Sequence, residues 1–250
     1  SSLKNVSTHF KIYLIDNSPD DKLRHIKHDF SNLVYIHKPD NPGFGAAHNI
    51  AIRESIEGGI DFHLILNADV YFHEDVISPM IDYMIENSKV SHMMPKVLNP
   101  DGSLQRLCKL VPSPVDLIFR RFLSQKLIEK RNNLLELRES GYNQVMFVPY
   151  LSGCFMFLRT ETLKHVGIFD ERFFMYPEDI DLTRRIAQEY ETLFFPKVSI
   201  YHEHGAASYK SKRILMIHIY NMIKYFNKWG WFYDPIRVSL NKKTLKKLGL

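Results

Sequence analysis

The chain has 250 residues, 45% hydrophobic and 24% charged, with a formal net charge of +5. This balance fits one large α/β domain, or a domain with a helical appendage, of the soluble globular type. No run approaches the roughly 18 to 20 apolar residues of a membrane span, and no signal peptide opens the sequence, so an integral membrane protein is not expected.

In chain order, residues 10–15 read as a strand that ends on the polar cluster Asp16-Asn17-Ser18. An Asp at the C-terminal edge of a sheet is placed for ligand binding, and a turn capping the next helix explains it equally well. Residues 33–37 form the next strand and run into Asn41-Pro42-Gly43-Phe44-Gly45-Ala46-Ala47-His48-Asn49. Glycines before a helix start permit close backbone approach to a ligand and offer free N–H groups, though the spacing is not that of a phosphate loop. Residues 62–66 are the cleanest buried strand, stopping at Asn67-Ala68-Asp69. Strand alternation is expected to set Asn67 and Asp69 on one face, where Asp69 suits a hard divalent cation.

A helix is expected over 74–87, a strand over 90–97 broken at Pro95, and a helical insertion with a basic face over about 112–140. Residues 145–158 are almost continuously apolar, one strand or a pair, with Ser152-Gly153 permitting a bend. Cys154 here and Cys108 earlier lack metal-ligand spacing and suit buried thiols in a reducing cytosol, which points to a cytoplasmic location. A short helix over 160–166 stops at Gly167.

The aromatic run Phe173-Phe174-Met175-Tyr176 then breaks at Pro177 and enters Glu178-Asp179-Ile180-Asp181. Carboxylates in a first helical turn are favoured by the free N–H groups there, so plain capping accounts for them. Their apolar approach also suits a partly desolvated general base. Asp181 is expected as a helix-surface charge meeting Arg185 one turn on. In the strand over 198–204, His202 and His204 share a side and are candidate metal ligands or hydrogen-bonded structural residues. The loop from Gly205 carries Lys210 and Arg213 and is a candidate lid over an anionic ligand. Residues 214–229 are helical. Beyond Gly205 ten basic residues face only Asp234, and aromatics beside lysines suit a membrane interface or a packing helix, including one for a second copy of the chain.

Six pieces, in order, resemble the family-2 glycosyltransferases with the GT-A fold, and among them the rhamnosyltransferase-like group: Asp16-Asn17-Ser18, the segment 41–49, Leu66-Asn67-Ala68-Asp69, Ser152-Gly153-Cys154-Phe155-Met156, the segment 166–174 and Glu178-Asp179-Ile180-Asp181-Leu182. The match covers about residues 10–230. It implies an α/β fold, a Rossmann-like mixed sheet flanked by helices, with a catalytic domain over 1–205 and a lid loop and C-terminal helices over 206–250. The family opens with a further strand and helix that this sequence does not show, so a leading portion is expected to be absent.

The resemblance implies an inverting, metal-dependent transferase that moves a sugar, rhamnose from dTDP-rhamnose in the first instance, from a nucleotide diphosphate donor to a saccharide or lipid-linked acceptor in surface polysaccharide synthesis. It implies Asp179 as general base with Glu178 in support. Asp16, Gly43, Gly45, Asn49 and Asn67 would line the donor pocket, and Asp69 with His202 would hold Mn2+ or Mg2+. Peripheral contact at the inner face of the plasma membrane and a homo-oligomer accompany this reading; nucleic acid is not an expected partner. The rival reading is a non-catalytic nucleotide-sugar or carbohydrate-binding module on the same fold.

Overall fold

The computed structural model describes residues 2–117, 124–203 and 212–250. Its centre is a mixed sheet in the order β3 (Phe62–Leu66), β9 (Phe155–Arg159), β5 (Val90–Leu98), β10 (Glu191–His202) and β4 (Val70–Tyr71), with β7 (Met146–Phe147) pairing on β10. β5 and β10 run parallel, and the other pairs are antiparallel. Alternation along β9 explains why both faces are covered. Met156 and Leu158 join Ile65, Ile52 of α1 (Phe44–Glu57), Leu163 of α5 (Thr160–Val166) and Leu182 and Ile186 of α6 (Pro177–Glu189). Phe155 and Phe157 point the other way and join Met80 and Met84 of α2 (Ile77–Glu86) with Met93 and Val97 of β5.

Two smaller units flank the sheet. β1 (Ile12–Asp16) pairs in parallel with β2 (Leu33–His37) as a separate two-stranded sheet, and β6 (Cys108–Lys109) pairs antiparallel with β8 (Tyr150–Leu151). Among the described residues, β1 pairs only with β2, and β3 only with β9. The insertion holds α3 (Pro114–Leu117) and α4 (Gln125–Leu135), the latter capped by Ser124. α7 (Lys212–Trp229) and α8 (Pro235–Leu248) pack against α6.

The structure departs from the sequence reading in three places. β5 runs unbroken through Pro95, and the irregularity lies in its partner: Phe195 pairs with Pro95, and the next pair is Ser199 with Lys96. Proline has no N–H to close a ladder rung, so the neighbouring strand bulges while β5 continues. Asn67 to Val70 is a turn closed by Val70 N–H on the Asn67 carbonyl, 3.2 Å, so period-two alternation does not extend to Asp69. Asp181 is fully buried and not a surface charge, because the end of α7 closes over it.

Candidate active site

Glu178 and Asp179 occupy the first turn of α6, with Pro177 at its start and Tyr176 before it at φ 94°, ψ −62°. A positive φ on an aromatic residue persists only where the surroundings hold it. Here the Phe174 carbonyl accepts from Phe44 N–H at 2.9 Å, Asn221 of α7 donates to the Met175 carbonyl at 3.0 Å, and the Tyr176 ring lies 4.6 Å from that of His218. Gly43, itself at φ 98°, permits the first contact, since a Cβ there would stand 2.5 Å from the Phe174 oxygen.

The Asp179 carboxylate accepts from Gly153 N–H at 2.9 Å and from Ile180 N–H at 2.8 Å. Burial pushes its carboxyl up to about 6, against the opposing pull of these N–H groups and of the nearby Lys109 charge. Glu178 is 4% exposed, and its Oε2 has no hydrogen-bond partner among the described residues. Burial first, and then the neighbouring Asp179 charge, raise its carboxyl well above the usual carboxylate range. Burial thus raises both adjacent carboxyls, and of the two only Asp179 has a backbone N–H group from across the loop, that of Gly153, pulling its value back down. Lys109 and Tyr150, paired across β6 and β8, also face this site, and burial followed by the two acids raises the Tyr150 hydroxyl well above its ordinary value. Sequence reading missed both residues, because a two-residue strand has no periodicity to reveal it.

A second cluster forms where β10 meets β4. His202 Nε2 lies 3.4 Å from Asp69 Oδ1, and Glu203 N–H donates to the Asp69 carbonyl at 3.0 Å. Gln105 clamps the imidazole, its Nε2 donating to the His202 carbonyl at 2.7 Å and its Oε1 lying 3.0 Å from Nδ1. That contact assigns the proton to Nδ1 and leaves Nε2 basic toward Asp69, the arrangement that suits a metal-ligating histidine. The Asp69 side chain is 42% exposed. Among the described residues no group of three or more His, Cys, Asp or Glu side chains is gathered for a metal. One carboxylate and one oriented imidazole fit a cation that completes its shell with water and phosphate oxygens.

The residues expected to line a donor pocket fall in several places. Asp16 is 5% exposed and sits on the separate β1–β2 unit. Its Oδ1 accepts from Ser18 N–H at 2.9 Å and from the Ser18 hydroxyl, and Oδ2 from the Tyr35 hydroxyl at 2.6 Å. Burial pushes this carboxyl up, and the Ser18 and Tyr35 bonds more than offset it, so the net direction is down. Asn49 is fully buried, donating to the Phe169 carbonyl and Glu171 while its Oδ1 accepts from Phe169 N–H. Its amide holds the turn before the acid helix. Gly45 lets α1 approach that turn, since a Cβ there would stand 2.9 Å from Phe169 Cβ. Asn67 sits at the mouth of the turn that presents Asp69, its N–H on the Cys154 carbonyl at 3.0 Å. Lys210, His204 and the Arg213 side chain lie outside the described residues.

A cleft of about 640 Å³ at the opposite end of the sheet, lined in part by Tyr83, Phe147, Glu191 and Lys247, includes none of these groups. The model of glycosyl transferase family 2 matches residues 1–166. The chain belongs to that family. It is 25% identical, over 92% of its length and 79% of the relative's, to an N-acetylglucosaminyl-diphospho-decaprenol L-rhamnosyltransferase of Mycobacterium tuberculosis (strain CDC 1551 / Oshkosh). It is 28% identical, over 72% of its length and 67% of the relative's, to rhamnosyltransferase WbbL of Escherichia coli (strain K12). Among solved structures it resembles GalNAc-T7 crystallised with UDP, GalNAc and Mn2+, with a TM-score of 0.57 and 14% identity. That likeness covers 81% of this chain but only 40% of the solved one, and it shows the shared GT-A fold. As a family-2 member the protein is a glycosyltransferase, with the α/β sheet and flanking helices that the sequence motifs imply.

Proposed function

We propose that the protein is an inverting transferase that moves rhamnose from dTDP-rhamnose to a saccharide or lipid-linked saccharide acceptor, for surface polysaccharide synthesis, with Asp179 as general base. The observation that carries this reading is the buried Asp179 carboxylate in the first turn of α6, aimed by the Gly153 and Ile180 N–H groups beside the apolar run 173–176. A carboxylate held near 6 is ionised at neutral pH yet basic enough to take a proton from a sugar hydroxyl in the transition state. Two of its acceptor positions are used by backbone N–H groups, which fix its direction, and the remaining lone pairs stay open to the acceptor.

The acceptor hydroxyl gives its proton to Asp179 as its oxygen attacks the anomeric carbon, the bond to the diphosphate breaks on the opposite side, and the configuration inverts. Gly153 and Ile180 hold the carboxylate in place, and the segment 173–176 walls the acceptor side against water. Asp69 and His202 would hold Mn2+ or Mg2+, which when bound offsets the charge growing on the departing diphosphate. Asn67, beside that turn, brings an uncharged group toward the sugar, and Asp16 with Gly43 and Gly45 borders the donor. The names of the two rhamnosyltransferase relatives support the choice of sugar, and the first of them supports a polyprenyl-linked acceptor.

The test is a donor screen with Mn2+, reading product and the configuration of the new bond. Asp69→Ala is expected to abolish the cation dependence and His202→Ala to raise the cation concentration needed. Titrations identical to wild type would remove both as ligands. Tight donor binding without any product under every condition would favour the binding-module reading.

A further inference from the structure

Along α7, Met216, Tyr220 and Ile223 recur at i, i+4 and i+7 and so share one face, 65%, 60% and 37% exposed. The opposite face is spent: Met222, Tyr225 and Phe226 pack with Phe173 and Ile180 as a buried cluster. The exposed stripe continues past the helix end. Trp231 folds back so that its Nε1 donates to Asn227 Oδ1 at 2.8 Å, one turn beyond Ile223, and its ring lies 5.3 Å from Phe226. Gly230, at φ 101°, makes that turn, because a Cβ would stand 2.3 Å from the Tyr233 oxygen. Its product is a tip carrying Phe232 at 88% and Tyr233 at 83% exposure.

The exposed charge in the chain after Gly205 is of one sign. Asp234 is the single acid after Gly205, and it is buried against Arg184. Lys228 pairs with Asp170 and Asp181, and Lys243 and Lys247 share Glu191, so those cations already have carboxylate partners. Lys224 stands apart. Its Nζ lies 4.4 Å from the Tyr220 ring centroid and donates to the Arg172 carbonyl, with no carboxylate partner among the described residues. In the sequence, Lys210, Lys212 and Arg213 precede the stripe directly. Pairing with a second copy through this face about a two-fold axis would set like charge against like.

We propose that this face docks on an anionic lipid bilayer, with Met216, Tyr220, Ile223, Phe232 and Tyr233 in the boundary between headgroups and acyl chains and Lys224 at the phosphates. The buried side of α7 carries Asn221 and His218, which hold Met175 and Tyr176. Docking therefore sets the loop before Glu178 and Asp179 one helix diameter, roughly 10 Å, from the lipid surface. That consequence rests on the proposed lipid-linked acceptor; the docking itself does not.

The experiment is vesicle flotation of the full chain with phosphatidylcholine alone and with phosphatidylglycerol added, run beside donor turnover on a water-soluble acceptor. Binding to the anionic vesicles is expected, weakened by salt as screening shortens. Met216→Ser, Ile223→Ser and Phe232→Ser are each expected to weaken it by on the order of tenfold, with turnover on the soluble acceptor unchanged and Phe232→Trp binding as wild type does. Equal affinity for neutral and anionic vesicles, no flotation, or serine variants that bind like wild type would overturn the proposal. So would a concentration-dependent dimer lost in the same variants, which would identify a second copy as the occupant. A protein that floats but never turns over donor retains the docking surface and loses the transferase reading, so the two fail separately.

Discussion

Asp179 and Glu178 are buried neighbours whose carboxyls are both raised, and conservative substitutions tell their roles apart. Glu178→Gln keeps the shape of the side chain and removes its titratable group, so activity is expected within a few-fold of wild type, with the acid limb of the pH–rate profile still near 6. Asp179→Asn removes the base and is expected to lower kcat by roughly 10²–10⁴-fold. The reverse pattern, with Gln inactive and Asn active, would transfer the role to Glu178. The same carboxyl leaves a signature on stability. Its folded-state value is raised above the ordinary 3.8, so the folded chain binds the proton more tightly than the unfolded one, and stability falls as pH rises from about 4 to 6. Above 6 the full cost of the buried charge is present, and below 4 it is gone. Urea unfolding of Asp179→Asn against wild type should therefore show the difference moving in favour of Asn between pH 4 and pH 8, whatever its sign at pH 4. A pH-independent difference would mean that Asp179 is not held up by burial.

Element by element, α6 is locked toward its C-terminal end by a buried charge pair and at its front by a steric contact. Arg184 is fully buried, pairs with both oxygens of Asp234 at 2.8 and 3.0 Å, donates to the Tyr225 hydroxyl at 2.8 Å and lies 3.9 Å from the Trp229 ring centroid. Asp234 also caps α8 by accepting from Arg237 N–H, so the Arg184–Asp234 pair ties α6, α7 and α8 together. Removing it strands a buried guanidinium, and Asp234→Ala is expected to cost about 3–5 kcal/mol in chemical unfolding. The double variant Arg184→Met/Asp234→Leu should recover much of that loss, since a well-packed apolar pair avoids both desolvation costs. If it is no more stable than Asp234→Ala, the pair does more than neutralise itself. At the front of α6 the control is steric. Gly43→Ala puts a Cβ against the Phe174 backbone at a positive φ and is expected to cost roughly 1–3 kcal/mol. Because Phe174 leads into the acid loop, turnover should fall further than the stability loss explains; activity intact at full folding would show that the loop is set elsewhere.

For the whole molecule, the sequence was legible where a local rule sufficed. Short apolar runs ended by polar or turn residues marked β1, β2 and β3, Gly167 marked the end of α5, and Pro177 with two acids marked the start of α6. It was illegible where a partner distant in the chain decides. Lys109 reaches the acid pair only because Cys108 and Leu151 are paired, Asp181 is buried only because α7 closes over it, and Gln105 orients His202 across 97 positions. The same distinction predicts an uneven stability. β5, β9 and β10 are paired on both edges and buried on both faces, whereas β1 and β2 pair only with each other and are mostly half-buried. A two-stranded sheet is marginal by itself, and local opening scales with how little apolar contact must be broken. Native-state hydrogen exchange should therefore show the ladder amides of Tyr13 to Asp16 and Val34 to Ile36 opening well below the global unfolding free energy, while those of Met93, Met94 and Phe157 track it. If the two groups exchange together, the β1–β2 unit is cooperative with the main sheet, and Asp16 is held as firmly as Asp179. If they separate, the site is divided between a rigid half bearing Asp179, Asp69 and His202 and a compliant half bearing Asp16, and donor should slow exchange in the compliant half first.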